Sequence, residues 1–216
     1  MENAKHAFWQ AFFVTMLFFL AGLVLGVYLE QLRGDSLSVL SYNSEVSLYD
    51  SFALGKLLET NLTSCENLKK TSIIFADKIY GEARELERFD EKNKLTDSMK
   101  AIHRKYDLLR TLLWMNIIEM KEKCGQINTV VYLYVYDTDD IKIKSEQTVW
   151  ERVLSDLKEE EGDNLILIPI AADQEINSLD YLAKFYGIKE FPAVIINEKN
   201  IFYEQKSSGE LMTFLK

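Results

Sequence analysis

From Ala7 to Leu29 the chain carries no charged side chain, an unbroken run of about 23 residues. An α-helix needs roughly 20 such residues to cross the hydrocarbon core of a bilayer, where every backbone polar group must be bonded inside the segment. This feature constrains the fold most. It predicts a transmembrane helix over residues 7–29, preceded by a short tail, residues 1–6. Trp9 and Tyr28 suit the two interfaces, where an amphipathic ring keeps its polar atom wet. A cleaved signal peptide is the competing reading, but its apolar run would be shorter and followed by a clear small-residue cleavage site, so the segment is expected to stay as an anchor. Lys5 and the terminal amine lie on one side, and Glu30 and Asp35 lie beyond the helix with Arg33 against the trend. That asymmetry predicts a cytoplasmic N-terminus and an extracytoplasmic C-terminal bulk. Gly22 and Gly26 form a G-x-x-x-G pair, bare enough for a second helix to approach; glycine frequency in membrane helices alone would also produce it.

The 216 residues, 48% of them hydrophobic, allow one or two modest domains beyond the anchor. A net charge of -9 argues against a general nucleic-acid binder, which needs clustered Lys and Arg not outnumbered by carboxylates. Pro169 and Pro192 are the two prolines, and no Ser/Gly-rich tract or internal repeat marks a long linker.

A helical segment is expected over residues 35–127, after a break at Gly34-Asp35-Ser36. Val46, Tyr49, Ala53 and Leu57 recur at helical spacing before Asn61. Leu68, Phe75, Ile79 and Leu86 form one later stripe. Leu95, Met99, Ile102, Tyr106, Leu109, Leu113, Ile117 and Met120 form another. The polar Asp90-Glu91-Lys92-Asn93 between them suits a turn, so the two helices are expected to pack as an antiparallel, coiled-coil-like hairpin.

Cys65 and Cys124, the two cysteines, are nearly equidistant from that turn and fall on the apolar stripes of their helices. In a hairpin they meet at its open end, whereas in one continuous helix they would lie roughly 90 Å apart. A disulfide would close a loop of about 60 residues and contribute on the order of 3–4 kcal/mol. Such a bond forms outside the cytoplasm, in agreement with the charge asymmetry. Two unrelated buried thiols are the alternative. Asn61-Leu62-Thr63 is a glycosylation pattern that matters only in that compartment. Arg33-Gly34-Asp35, beside the membrane, is read as chance.

At Thr129 the character changes. Val130 to Tyr136 is a β-branched and aromatic run, a buried strand. Ser145 offers an N-cap to a helix with Val149, Trp150, Val153, Leu154 and Leu157 on one face, ending before Gly162. Leu165 to Ala171 is a second strand. A helix from about Ser178, with Leu179, Leu182, Ala183 and Phe185 on its face, stops at Gly187. Ala193 to Ile196 and Ile201 to Glu204 flank Asn197-Glu198-Lys199-Asn200 as a hairpin, and Gly209 to Leu215 forms a last helix.

The predicted order βαβαββα over 129–216 is that of the thioredoxin fold. Tyr186-Gly187-Ile188-Lys189-Glu190-Phe191-Pro192-Ala193-Val194-Ile195-Ile196 resembles that family's helix end, cis-proline loop and third strand, and Ser208 to Leu215 resembles its closing helix. The resemblance implies a cis bond before Pro192, and an edge at Phe191, Pro192 and Ala193 where an extended peptide pairs with the backbone. It departs from the redox members where their C-x-x-C pair would stand: Asp137 to Ser145 contains no cysteine. Thiol–disulfide exchange needs an attacking sulfur, so this domain alone cannot perform it.

No other chemistry emerges from the residues. His6 and His103 lack a second ligand at metal-site spacing, and Asp137, Asp139 and Asp140 suit a solvated loop better than a calcium cage. Lys158-Glu159-Glu160-Glu161 is read as a wet helix end. The expectation is a non-catalytic, membrane-tethered protein- or peptide-binding module without cofactor or metal, its partners the membrane and a protein or peptide, with homo-oligomers open. A structural subunit of a membrane complex is the alternative. An oxidoreductase using Cys65 and Cys124 is the third.

Overall fold

The computed structural model describes residues 2–60, 64–90, 97–125, 127–136 and 138–215. It is mostly helical, with one small mixed sheet of four strands. Two units separate, Met1–Asn43 and Ser44–Lys216.

Helix α1 covers Glu2–Thr60. Within the first unit, Phe8–Leu29 has a mean hydropathy of 2.4 and none of it is buried, so it is long and apolar enough to span a membrane. The helix begins at Glu2, so the expected tail is itself helical. Nor does Gly34-Asp35-Ser36 interrupt it. A glycine in a helix interior costs only about 1 kcal/mol relative to alanine, too little to break a long helix by itself.

In the second unit, the last turns of α1 correct the sequence reading. Val46 and Tyr49 are 63% and 73% exposed and Ala53 and Leu57 are also exposed, while Ser44, Ser47, Ser51 and Leu58 are buried. Apart from Leu58, the buried face is therefore made of serines, which hydrophobic periodicity cannot mark. Asn116 Nδ2 donates to the Ser51 carbonyl and hydroxyl at 2.9 and 3.2 Å, and a Cβ on Gly55 would lie 2.9 Å from Asn116 Oδ1.

Helices α2 (Cys65–Asp90) and α3 (Asp97–Cys124) form the predicted hairpin. Leu68, Phe75, Ile79 and Leu86 are buried, as are Met99, Ile102, Tyr106, Leu109, Leu113, Ile117 and Met120. Leu95 and residues 91–93 of the expected turn lie outside the described residues. A disulfide joins Cys65 and Cys124, their Cα atoms 5.3 Å apart. The cysteines are not on the buried stripes, however: Cys65 is exposed and Cys124 half-buried, because each stands at a helix end beyond the last packed turn.

The sheet runs β2-β1-β3-β4. Strand β1 (Asn128–Tyr134) is parallel to β2 (Leu165–Ala171), with Asn128 opposite Leu165, and antiparallel to β3 (Ala193–Ile196), which pairs with β4 (Asn200–Phe202). The β1–β2 crossover is α4 (Ile141–Glu161), as a parallel pair requires. Trp150, Leu154 and Leu157 of α4 pack with Val130, Tyr132, Leu165 and Val194 on one side of the sheet. The alternate strand residues Val131, Leu133, Ile168 and Ile195 are equally buried, with α3 packed against β2. A sheet covered on both faces reads as continuous apolar runs rather than alternation. Pro169 lies in edge strand β2, where its missing N–H breaks no central ladder.

Local chemistry sets the element ends, not always where expected. Helix α4 starts at Ile141 because Asp140 caps it, accepting from the Lys142 and Ile143 N–H groups; Ser145 lies inside the helix. Lys158 is no wet end: its Nζ donates to the Gly162 and Leu165 carbonyls at 2.9 and 2.8 Å, tying the helix C-terminus to β2. Helix α5 (Asn177–Phe185) ends in a Schellman arrangement, with Gly187 at φ 70°, Ile188 N–H on the Ala183 carbonyl and Gly187 N–H on that of Lys184. Phe185, expected on its buried face, is 70% exposed. Helix α6 (Ser208–Met212) is shorter than expected and opens with a Ser207/Glu210 capping box.

The β3–β4 turn is tight. Asn197 and Glu198 have φ 53° and 56°, and Lys199 N–H donates to the Ile196 carbonyl at 3.1 Å, a type I′ turn. A glutamate in the left-handed region is uncommon, and here its side chain holds it there. Glu198 accepts from Trp114 Nε1 at 3.2 Å and Thr129 Oγ1 at 2.9 Å, and pairs with Lys121. Lys121 also reaches Thr129 Oγ1 and Asn197 Oδ1, so this node links α3, β1 and the hairpin.

Candidate functional site

The segment before β3 holds the Phe191–Pro192 bond in the cis form; Phe191 is half-buried, while Pro192 and Ala193 are buried. The register explains why this segment is open. Asn197 N–H donates to the Thr129 carbonyl, and bonded pairs alternate along an antiparallel ladder, so the bonded pairs are Thr129/Asn197, Val131/Ile195 and Leu133/Ala193. The next would be Val135/Phe191. Instead the Gln147 carboxamide takes both backbone groups of Val135, accepting from its N–H at 2.9 Å and donating to its carbonyl at 3.0 Å. The ladder stops, and no loop, turn or cap hydrogen bond among the described residues uses the Phe191 backbone. Gln147 is buried on α4, one turn before Trp150. Sequence reasoning missed it; a lone amide on an otherwise apolar helix face was the available signal.

Aromatic surface precedes the loop. Tyr181 and Phe185, four apart on α5 and so on one face, are each 70% exposed. Phe185 meets Tyr186 edge-on at 5.1 Å, and Tyr186 stacks on Trp114 at 5.4 Å, which fixes the end of α5 against α3. Lys189 N–H donates to the Tyr203 hydroxyl at 3.2 Å, anchoring the loop from β4's side.

A second polar group lies at the carboxyl end of β2. Asp107, on α3, accepts from the Ala171 N–H at 3.1 Å and from Arg110 Nη1 at 3.3 Å. Both side chains are buried, and burial pushes the Asp107 carboxyl up to about 6 although Arg110 and the Ala171 N–H pull it down. His103, one turn earlier, is also buried, its ring 4.5 Å from that of Tyr136. Asp107 caps the outer side of the edge strand: Ala172 N–H donates to the Tyr134 carbonyl, so the Ala171 N–H points away from β1 and is taken by the carboxylate.

The other predicted positions are dispersed. Where a Cβ would stand on Gly22 or Gly26 the space is open. Asn61 lies outside the described residues, as does Asp137. Asp139 is exposed, and Asp140 serves as the α4 cap. His6 is exposed and far in sequence from His103, and the described residues contain no group of three His, Cys, Asp or Glu able to hold a metal. Both cysteines are consumed in the disulfide at the hairpin's open end. Neither the protein-family models nor the curated proteins include a match to this chain.

Proposed function

We propose that this chain is a membrane-tethered, non-catalytic binding module whose C-terminal part, a thioredoxin-like domain, holds an extended peptide or protein segment at the edge formed by Phe191, Pro192 and Ala193. One observation carries the reading. Because Gln147 occupies the backbone of Val135, the Phe191 N–H and carbonyl are left without a ladder partner beside a buried strand. An extended segment can add there, main-chain bonds supplying affinity and the half-buried Phe191 ring an apolar contact. The absence of cysteine from 137–145 leaves binding without exchange chemistry. Phe8–Leu29 serves as the tether, with the domain outside the cytoplasm, where a Cys65–Cys124 bond persists.

Photo-crosslinking in native membranes tests this, with a probe at Phe191 and a comparison probe at Val24. Several extended client segments captured at Phe191, and absent with the Val24 probe, support the reading; the same adducts at both probes, or no extended segment captured at Phe191, would sink it. A structural subunit of a membrane complex is the second reading. It is favoured by the exposed Val46, Tyr49, Ala53 and Leu57 stripe, an apolar helix face left uncovered by the described residues. One dominant partner at both probes would select it.

A further inference from the structure

Away from the Phe191 edge, a cavity of about 500 Å³ lies between α2, edge strand β2, the second half of β1 and α4. Its size falls within the range of small-molecule sites, and its wall takes in the end of β1 from Tyr132 to Tyr136 and the middle of β2 at Leu167 and Pro169. None of Phe191, Pro192 and Ala193 lines it.

Three features of the wall define what would fit. First, its charge: Arg84, Arg110 and Glu151 all line it. Arg110 is paired with Asp107, but the Arg84 guanidinium lies 5.9 Å over the Tyr80 ring with no carboxylate at ion-pairing distance among the described residues. An anionic group on a ligand would complete it in bidentate fashion. Glu151 in the same wall disfavours a polyanion such as a nucleotide. Second, its aromatic lining: Tyr132 and Tyr134 stack at 5.5 Å with planes 21° apart, and Tyr136 continues the wall. Flat rings prefer such company. Third, an orphan: Tyr132 is 3% exposed, and its hydroxyl, buried beside Glu151 and Tyr134, has no hydrogen-bond partner among the described residues. Buried hydroxyls are nearly always satisfied, so an unsatisfied one in the wall of a cavity marks a place for a ligand oxygen.

We infer that this cavity binds a small aromatic monocarboxylate, its carboxylate on Arg84 and within reach of the Tyr132 hydroxyl, its ring against Tyr134 and Tyr136. The site is independent of peptide capture at Phe191.

The test uses the full chain in non-ionic detergent micelles and 6-fluoro-2-naphthoate as probe, followed by ¹⁹F transverse relaxation against empty micelles. The expected result is saturable broadening by the protein, weakened at least tenfold by Arg84→Gln, weakened by Tyr132→Phe, and unchanged by Phe191→Asp. The neutral 6-fluoro-2-naphthamide should bind at least tenfold more weakly than the acid. Arg84 is exposed on α2, so its replacement leaves the fold intact. Broadening no greater than in empty micelles, or equal for Arg84→Gln and the unaltered chain, overturns the assignment.

Discussion

Replacing Lys121 by methionine should destabilise the Ser44–Lys216 unit by about 3 kcal/mol, and the cost should largely vanish when Glu198 is neutralised as well. Lys121 and Glu198 side chains are only 18% and 11% exposed, so each charge depends on the other. Removing one partner of a buried pair typically costs 3–5 kcal/mol, because the remaining charge stays in a medium that cannot solvate it. Residual exposure places this pair at the lower end. Glu198→Gln keeps an acceptor for Trp114 Nε1 and Thr129 Oγ1 and leaves Lys121 with Thr129 and Asn197, so about 2 kcal/mol is expected. Burial lowers the Lys121 pKa despite the opposing pull of Glu198, which means that desolvation outweighs the attraction. The double variant Lys121→Met/Glu198→Gln therefore sheds two desolvated charges together and should cost about 2 kcal/mol, not the sum of about 5. Urea denaturation of the full chain in non-ionic detergent, followed by ellipticity at 222 nm, gives the cycle without screening the charges. A coupling energy of about 2–3 kcal/mol is expected. Additive single costs, with coupling below about 0.5 kcal/mol, would refute the claim that this pair locks α3 to the β3–β4 turn.

Cys65→Ala/Cys124→Ala should lower stability by about 4 kcal/mol on the chain-entropy account for a loop this long, and Trp114 and Trp150 emission should shift together; a shift confined to Trp114 would mean that the hairpin and the sheet unfold separately. Asp107 has a folded pKa of about 6, above its ordinary 3.8, so its favourable contribution is complete below pH ~4 and is lost as pH rises through 6, by up to about 3 kcal/mol. Asp107→Asn should flatten that part of the profile, and parallel thermal-midpoint curves for the two proteins between pH 4 and 7.5 would refute the assignment. Gln147→Met should free Val135 to pair with Phe191, extending the ladder and reducing crosslinking at Phe191; undiminished capture would show that Gln147 does not hold the edge open.

Periodicity sufficed where apolar side chains meet apolar side chains. The apolar run long enough to span a membrane, the two stripes of the hairpin, the meeting of Cys65 with Cys124 and strand β2 from Leu165 to Ala171 were all legible, because apolar area repeats with the element that carries it. The same logic misread α1 beyond Asn43, where Val46 and Tyr49 face outward and Ser47 and Ser51 inward: the inner face is set by close approach and by hydrogen bonds to Asn116, neither of which has a hydrophobic signature. It also placed the α4 cap five residues late, since Asp140 and Ser145 are both chemically competent caps and only the path of the chain from β1 chooses between them.

The expectation of an edge at Phe191, Pro192 and Ala193 came from the sequence, but not why the ladder stops at the Leu133/Ala193 pair. That depends on Gln147 reaching Val135 across the β1–α4 connection. The left-handed Glu198, the Asp107 cap on β2 and the cavity beside Arg84 and Tyr132 are likewise products of tertiary structure. The sequence by itself determined the type and order of most helices and strands and the one apolar run long enough to span a membrane, since those follow from local spacing and the need to bury apolar surface, but not every element end. Only the tertiary structure decided which polar groups end up desolvated together, because hydrogen bonds and charges act through distances between residues that the chain places far apart.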